Sequence, residues 1–111
     1  MSKTIIGVSG KIEITHWHVG DDIRILVYNE QGNSVYFVTD SEGAKRWENA
    51  LRPKVAAGTT TIRANRAVAE TTHLQDYTEI VCFDALFPQS QTIAQFNKDQ
   101  VNNIIKALKE P

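Results

Sequence analysis

The sequence predicts a mainly β chain with two helices (α+β), in the order β-β-β-α-β-β with an extra C-terminal amphipathic helix. Three observations carry this. Apolar and polar residues alternate through residues 4–17, the period of a half-buried strand. A Gly/Asn connection, Glu30-Gln31-Gly32-Asn33, separates two apolar runs as a hairpin does. A helix-start signature precedes a clean apolar stripe near the C-terminus. The strands are expected to close as a five-stranded barrel over residues 4–87, followed by a helix over 97–109, within one domain, 1–111.

Residues 4–17 read as one long first strand. Ile6, Val8, Ile12 and Ile14 share one parity, and Lys11, Glu13, Thr15 and Trp17 the other. Gly7 and Gly10 permit a sharp bend or bulge. Gly20-Asp21-Asp22 is a turn. Residues 23–29 and 34–39 form the second and third strands. Asp40 or Ser41 caps a short helix to about Leu51, with Ala44, Trp47, Ala50 and Leu51 as its apolar stripe. Pro53 stops it. Residues 59–70 and 78–87 read as the last two strands.

In the terminal helix Asn97 is the N-cap and Gln100 completes a capping box. Val101, Ile104, Ile105 and Leu108 fall on one face. That face is expected to dock on the barrel's flank or on a partner, such as a second copy of the chain. No linker, repeat or low-complexity tract is read in the sequence.

Composition bounds the function. Net charge is −1, without the basic excess of a dedicated duplex-DNA protein. The charge is uneven, however. Lys45, Arg46, Arg52, Lys54, Arg63 and Arg66 face a single acid, Glu48, across residues 45–66. A local basic surface or a solvated helix face both fit that stretch. Cys82 is alone and lies in an apolar run, as a core thiol does. No signal peptide or membrane span is read, and a cytoplasmic location is expected.

His16 and His18 share a strand parity, but His73 is the only other histidine, and a zinc site takes about four ligands. No metal site or cofactor is expected. No phosphate loop, nucleophile elbow or paired-carboxylate signature is present, so no catalytic residue is assigned.

The remaining chemistry is that of a stacking surface. Trp17 lies on the parity opposite the expected core set. Arg24 and Tyr28 share a parity on the second strand, and Tyr36 follows on the third. Arg63 and Asn65 lie opposite Ile62, and Lys54 sits in the preceding basic loop. Rings stack on bases and cations guide phosphates in single-strand binders. Register decides whether the rings meet. An odd hairpin loop puts Tyr28 and Tyr36 on one face, and an even one separates them.

Over residues 4–87 this segment order resembles that of the small OB-fold single-stranded-DNA-binding proteins. The resemblance implies a binding module rather than an enzyme, with the 41–51 helix plugging one end of the barrel through Trp47; parity and charge supply Trp17, Arg24, Tyr28, Tyr36, Arg63, Asn65 and Lys54 as its expected contacts. Two alternatives stand beside it. One is a protein-interaction or assembly domain using the terminal helix or a sheet edge. The other is a PH-like sheet capped by the same helix, with lipid or peptide as ligand.

Overall fold

The structure, a computed structural model, describes residues 2–17, 20–52 and 58–110. It contains eight strands and two helices: β1 (Ser2–Ile6), β2 (Lys11–His16), β3 (Ile23–Tyr28), β4 (Ser34–Thr39), α1 (Ser41–Leu51), β5 (Thr59–Ala64), β6 (Ala67–His73), β7 (Thr78–Asp84), β8 (Thr92–Phe96) and α2 (Lys98–Lys109). Two four-stranded antiparallel sheets form in chain order, β1-β2-β3-β4 and β5-β6-β7-β8. The chain is mainly β with two helices, as expected, but eight strands replace the expected five.

Three local events account for the difference. The long first strand folds back on itself at residues 7–10, where the Gly7 N–H donates to the Gly10 carbonyl at 3.0 Å and Gly10 takes φ 74°. A left-handed residue suits a tight reversal and glycine adopts it without strain. Ile5 therefore pairs with Ile12, and Ile6 with Lys11. That reversal also overturns the expected core parity. Ile6 and Val8 are 71% and 59% exposed, while Ile12 and Ile14 are fully buried.

The expected strand 59–70 breaks in the same way at Asn65-Arg66, with Asn65 at φ 57°. The last expected strand ends at Asp84 rather than Phe87, and β8 appears in a stretch to which the sequence assigned no element.

The order is thus ββββα twice. The halves repeat at an interval of 57 residues, the distance from Asp40 to Asn97 and from His16 to His73. Asp40 and Asn97 are the two N-caps, and each accepts from the backbone N–H three residues on. Asn97 and Gln100 form the expected capping box. Ala44, Trp47, Ala50 and Leu51 are buried on α1, and Val101, Ile104, Ala107 and Leu108 on α2, position for position. The chain contains an internal repeat that the sequence reading did not find.

The helices dock crosswise. α1 packs on β5, and α2 on β1 and β2. His16, at the end of β2, bonds through Nε2 to the Ala107 carbonyl of α2, and His73 bonds through Nε2 to the Ala50 carbonyl of α1. Each half therefore covers the other's sheet, and one core cluster unites both. It includes Ile14, Ile25, Phe37, Trp47, Leu51, Ile80, Phe96, Ile104 and Leu108. Trp47 meets Phe37 edge to face, with centroids 5.1 Å apart. Val101, Ile104, Ile105 and Leu108 belong to this same core, so the helix face considered for a partner is covered by the chain itself.

Candidate nucleic-acid interface

The outward face of the first sheet is set by the β3–β4 connection. Tyr28 pairs with Ser34, so the loop runs from Asn29 to Asn33 and holds an odd number of residues. Asn29 organises it. Its carboxamide oxygen accepts from the Asn33 N–H at 2.9 Å, its N–H donates to the Asn33 carbonyl, and Gly32 takes φ 89°. Tyr28 and Tyr36 consequently lie on one face. They are diagonal rather than opposed, because Tyr36 pairs with Leu26.

The rows across that face follow from the register. Lys11 stands beside Tyr28 and Ser34, Glu13 beside Leu26 and Tyr36, and Thr15 beside Arg24 and Val38. Ile12, Ile14, Ile25, Val27 and Phe37 take the opposite parity and fill the core. Trp17 continues the outward side just past β2 and is 47% exposed. Its N–H donates to the Asp22 carbonyl at 3.2 Å, which holds the end of β2 against the start of β3.

Two cation–ring pairs are formed here. The Arg24 guanidinium lies 4.0 Å from the Trp17 ring centroid, and Lys11 Nζ lies 4.7 Å from that of Tyr28. Arg24 Nε is buried without a hydrogen-bond partner. A buried donor without a partner among the described residues costs about 1–3 kcal/mol. Among the described residues neither Lys11 nor Arg24 joins an ion pair.

Trp17, Arg24, Tyr28 and Tyr36 therefore share one face. Arg63 and Asn65 do not lie on it; they belong to the β5–β6 hairpin of the second sheet. Asn65, with Tyr36 and Val38, lines a hollow of about 390 Å³ between β4 and that hairpin. Arg63 and Asn65, with Val38 and Arg46, line an adjoining one of about 320 Å³. Lys54 lies outside the described residues.

Lys11, Arg46 and Arg66 are further cations of this region; the sequence places Lys11 on the parity of Trp17 and Arg46 and Arg66 in the basic 45–66 stretch, but none of them among the expected contacts. Lys11 was legible, since it shares the parity of Trp17. Arg46 was not, because only the fold brings α1 near the β5–β6 hairpin. The basic stretch is itself divided by the fold. Arg52 pairs with Glu48, Arg66 pairs with Asp84 at 2.7 Å, and Arg46 and Arg63 are left around the smaller hollow. The Leu86 backbone N–H and Arg66 hold the Asp84 carboxyl below the usual range.

The second sheet carries none of this chemistry at equivalent positions. An interval of 57 residues takes Lys11, Trp17, Arg24, Tyr28 and Tyr36 to Val68, Leu74, Val81, Ala85 and Ile93. Glu70 and Glu79 point outward between them. The ring-and-cation face belongs to one half of the repeat.

Elsewhere, several polar groups are engaged with one another. A hollow of about 620 Å³ beside the helices is lined by His16, Asp21, Ser41 and Glu48. There Asp21 accepts from the Ser41 hydroxyl at 2.8 Å, and Glu48 is held by Arg52 and Lys109. Of the expected histidine pair, His16 bonds to Ala107 and His18 lies outside the described residues. Among the described residues no three His, Cys, Asp or Glu side chains gather as metal ligands. No helix among them is long and apolar enough to cross a membrane.

No protein-family model matches this sequence, and no curated protein matches it either, so the site is read from its own geometry.

Proposed function

We propose that the protein binds single-stranded nucleic acid on the outward face of its first sheet. The observation that carries the reading is the convergence of Trp17, Arg24, Tyr28 and Tyr36 on that face, with Lys11 beside them. Bases stack on rings at about 1–3 kcal/mol each, and Lys11 and Arg24 meet phosphates. Net charge near zero is compatible with this, since stacking does not depend on a basic field. The likeness to OB-fold single-strand binders is carried forward as a likeness of binding mode: rings for bases and cations for phosphates on an antiparallel sheet.

Fluorescence titration with oligo-dT at low salt tests it. Trp47 is fully buried and Trp17 exposed, so quenching reports on Trp17. Saturable quenching is expected, and its absence at tens of micromolar protein overturns the reading.

A second reading is an assembly domain working through a sheet edge, including a homodimer. Ile6 and Val8, strongly exposed at the end of edge strand β1, favour it. Sedimentation of the purified chain distinguishes the two: a monomer that binds oligonucleotide supports the first.

A further inference from the structure

The two halves differ at their seams. In one seam the β1–β2 tip docks on β8, where Ser9 and Gln95 exchange two backbone hydrogen bonds, 3.2 and 2.7 Å. The equivalent pair, 57 residues away, is Arg66 and Val38. No backbone bond joins them; the hollow of about 390 Å³ lies between their strands instead.

The sequence supplies the physical reason. Gly7 and Gly10 flank the docked tip, and neither could carry a Cβ there. At Gly7 it would sit 2.3 Å from the Gln95 oxygen, and at Gly10 it would sit 2.2 Å from the Tyr28 oxygen and 3.0 Å from the Ala94 Cβ. Their equivalents in the other tip are Ala64 and Ala67, which do carry a Cβ. The second tip is thereby kept from the close approach the first one makes.

We infer that this open seam is a nucleobase pocket, taking one unstacked base of a bound single strand. The inference rests on the function proposed above. Tyr36 forms one wall and supplies a ring for stacking; Asn65 and Ser34 supply an amide and a hydroxyl for the base edge. The adjoining hollow holds Arg46 and Arg63, neither of them ion-paired among the described residues, beside the carboxylates Asp22 and Asp40, and the two guanidiniums are the groups there that could meet the neighbouring phosphate. Volumes of about 390 and 320 Å³ are in the range of small-ligand sites. The face carrying Trp17 and Tyr28 then binds any sequence, and the seam prefers one base. A side-chain amide reading a base edge discriminates by about fivefold or more.

The test is titration of the full chain with oligo-dT, oligo-dA and oligo-dC of equal length, for wild type and Asn65→Gly. Glycine keeps the left-handed turn at φ 57° and removes the amide. The expected result is one preferred oligomer, by about fivefold or more, and loss of that preference in Asn65→Gly with affinity for the others retained. Tyr36→Leu, the second variant, is expected to weaken the preferred oligomer most. Equal wild-type affinities, or a preference unchanged in Asn65→Gly, overturn the pocket while leaving the proposed function standing. Failure of every oligomer to bind overturns both.

Discussion

His16 Nε2 lies 2.7 Å from the carbonyl oxygen of Ala107, and this contact ties the first sheet to the second helix. A carbonyl only accepts, so Nε2 carries the proton and donates. Ala107 stands four residues before Pro111, which has no N–H to offer, so the helix cannot satisfy this carbonyl internally. His73 makes the mirror contact with Ala50 at 2.9 Å, but there Thr71 Oγ1 also donates, at 3.2 Å.

His16→Ala is therefore expected to destabilise the protein by about 1–3 kcal/mol, the cost of orphaning a buried acceptor. At the Ala50 carbonyl His73→Ala should cost less, because Thr71 remains, but it also breaks the 2.9 Å bond between His73 Nδ1 and Thr78 Oγ1. Chemical denaturation of both variants measures the order. Equal losses would mean that the lost Thr78 bond offsets what Thr71 retains at Ala50.

Gly7 gives a backbone prediction. A methyl group there meets the Gln95 oxygen and the Phe96 ring, at 2.3 and 2.8 Å. Gly7→Ala should lower stability by about 1–3 kcal/mol, as overpacking does, and detach the β1–β2 tip from β8. Hydrogen exchange at the Ser9 and Gln95 amides reads the detachment directly. Gly32→Ala, with open space at its Cβ, is expected to pay only for its positive φ of 89°.

Those glycines also show what was legible in the sequence. Gly7 and Gly10 announced a break in residues 4–17, but a bend, a bulge and a hairpin share one local signal. What separates them is tertiary: Ile5 finds Ile12 as a partner, and the tip finds β8. The α1 and α2 stripes and the Asn97 cap were legible, and the α1 cap was narrowed to Asp40 or Ser41, because helix periodicity and capping are local. β8 was hidden, since Thr92–Phe96 is short and its centre holds only Ile93, Ala94 and Gln95. The parity of Trp17, Arg24 and Tyr28 could be read from their own strands, whereas the place of Tyr36 depended on loop length. The repeat was masked because matched positions keep their role and change their residue, as with Trp47 and Ile104.

Glu48 links the helices, accepting from Arg52 at the C-cap of α1 and from Lys109 of α2 at 3.3 Å. The Arg52 hydrogen bond, with help from Lys109, holds its carboxyl below the ordinary value of 4.5. A depressed carboxylate contributes stability that is complete above the unfolded value and lost as pH falls through the folded one. Glu48→Gln should cost no more than about 1 kcal/mol at neutral pH. That difference should vanish on acidification below 4.5. Thermal melts of both proteins across that range check the sign.

Cys82 is fully buried, and burial pushes its thiol well above the ordinary range. It is expected to resist a thiol reagent in the native state even near pH 8.5, where an exposed cysteine ionises about halfway. One equivalent should react after unfolding. Rapid native labelling would show that β6 and β7 open locally.

The face around Trp17 makes separable predictions for ring and charge. Trp17→Ala removes a stacking platform, so affinity for oligo-dT should fall by about 1–3 kcal/mol with the melting temperature nearly unchanged. Its salt dependence should stay as it was, because no phosphate contact is lost. Lys11→Gln removes a cation that sits over Tyr28. It should reduce the slope of log affinity against log salt by about 0.7, the value for one phosphate contact on a single strand. The rings should remain in place, so quenching at saturation should match wild type. If Lys11→Gln left the slope intact, Lys11 would be serving Tyr28 alone, and the Arg24 guanidinium over Trp17 would be the phosphate contact of this face.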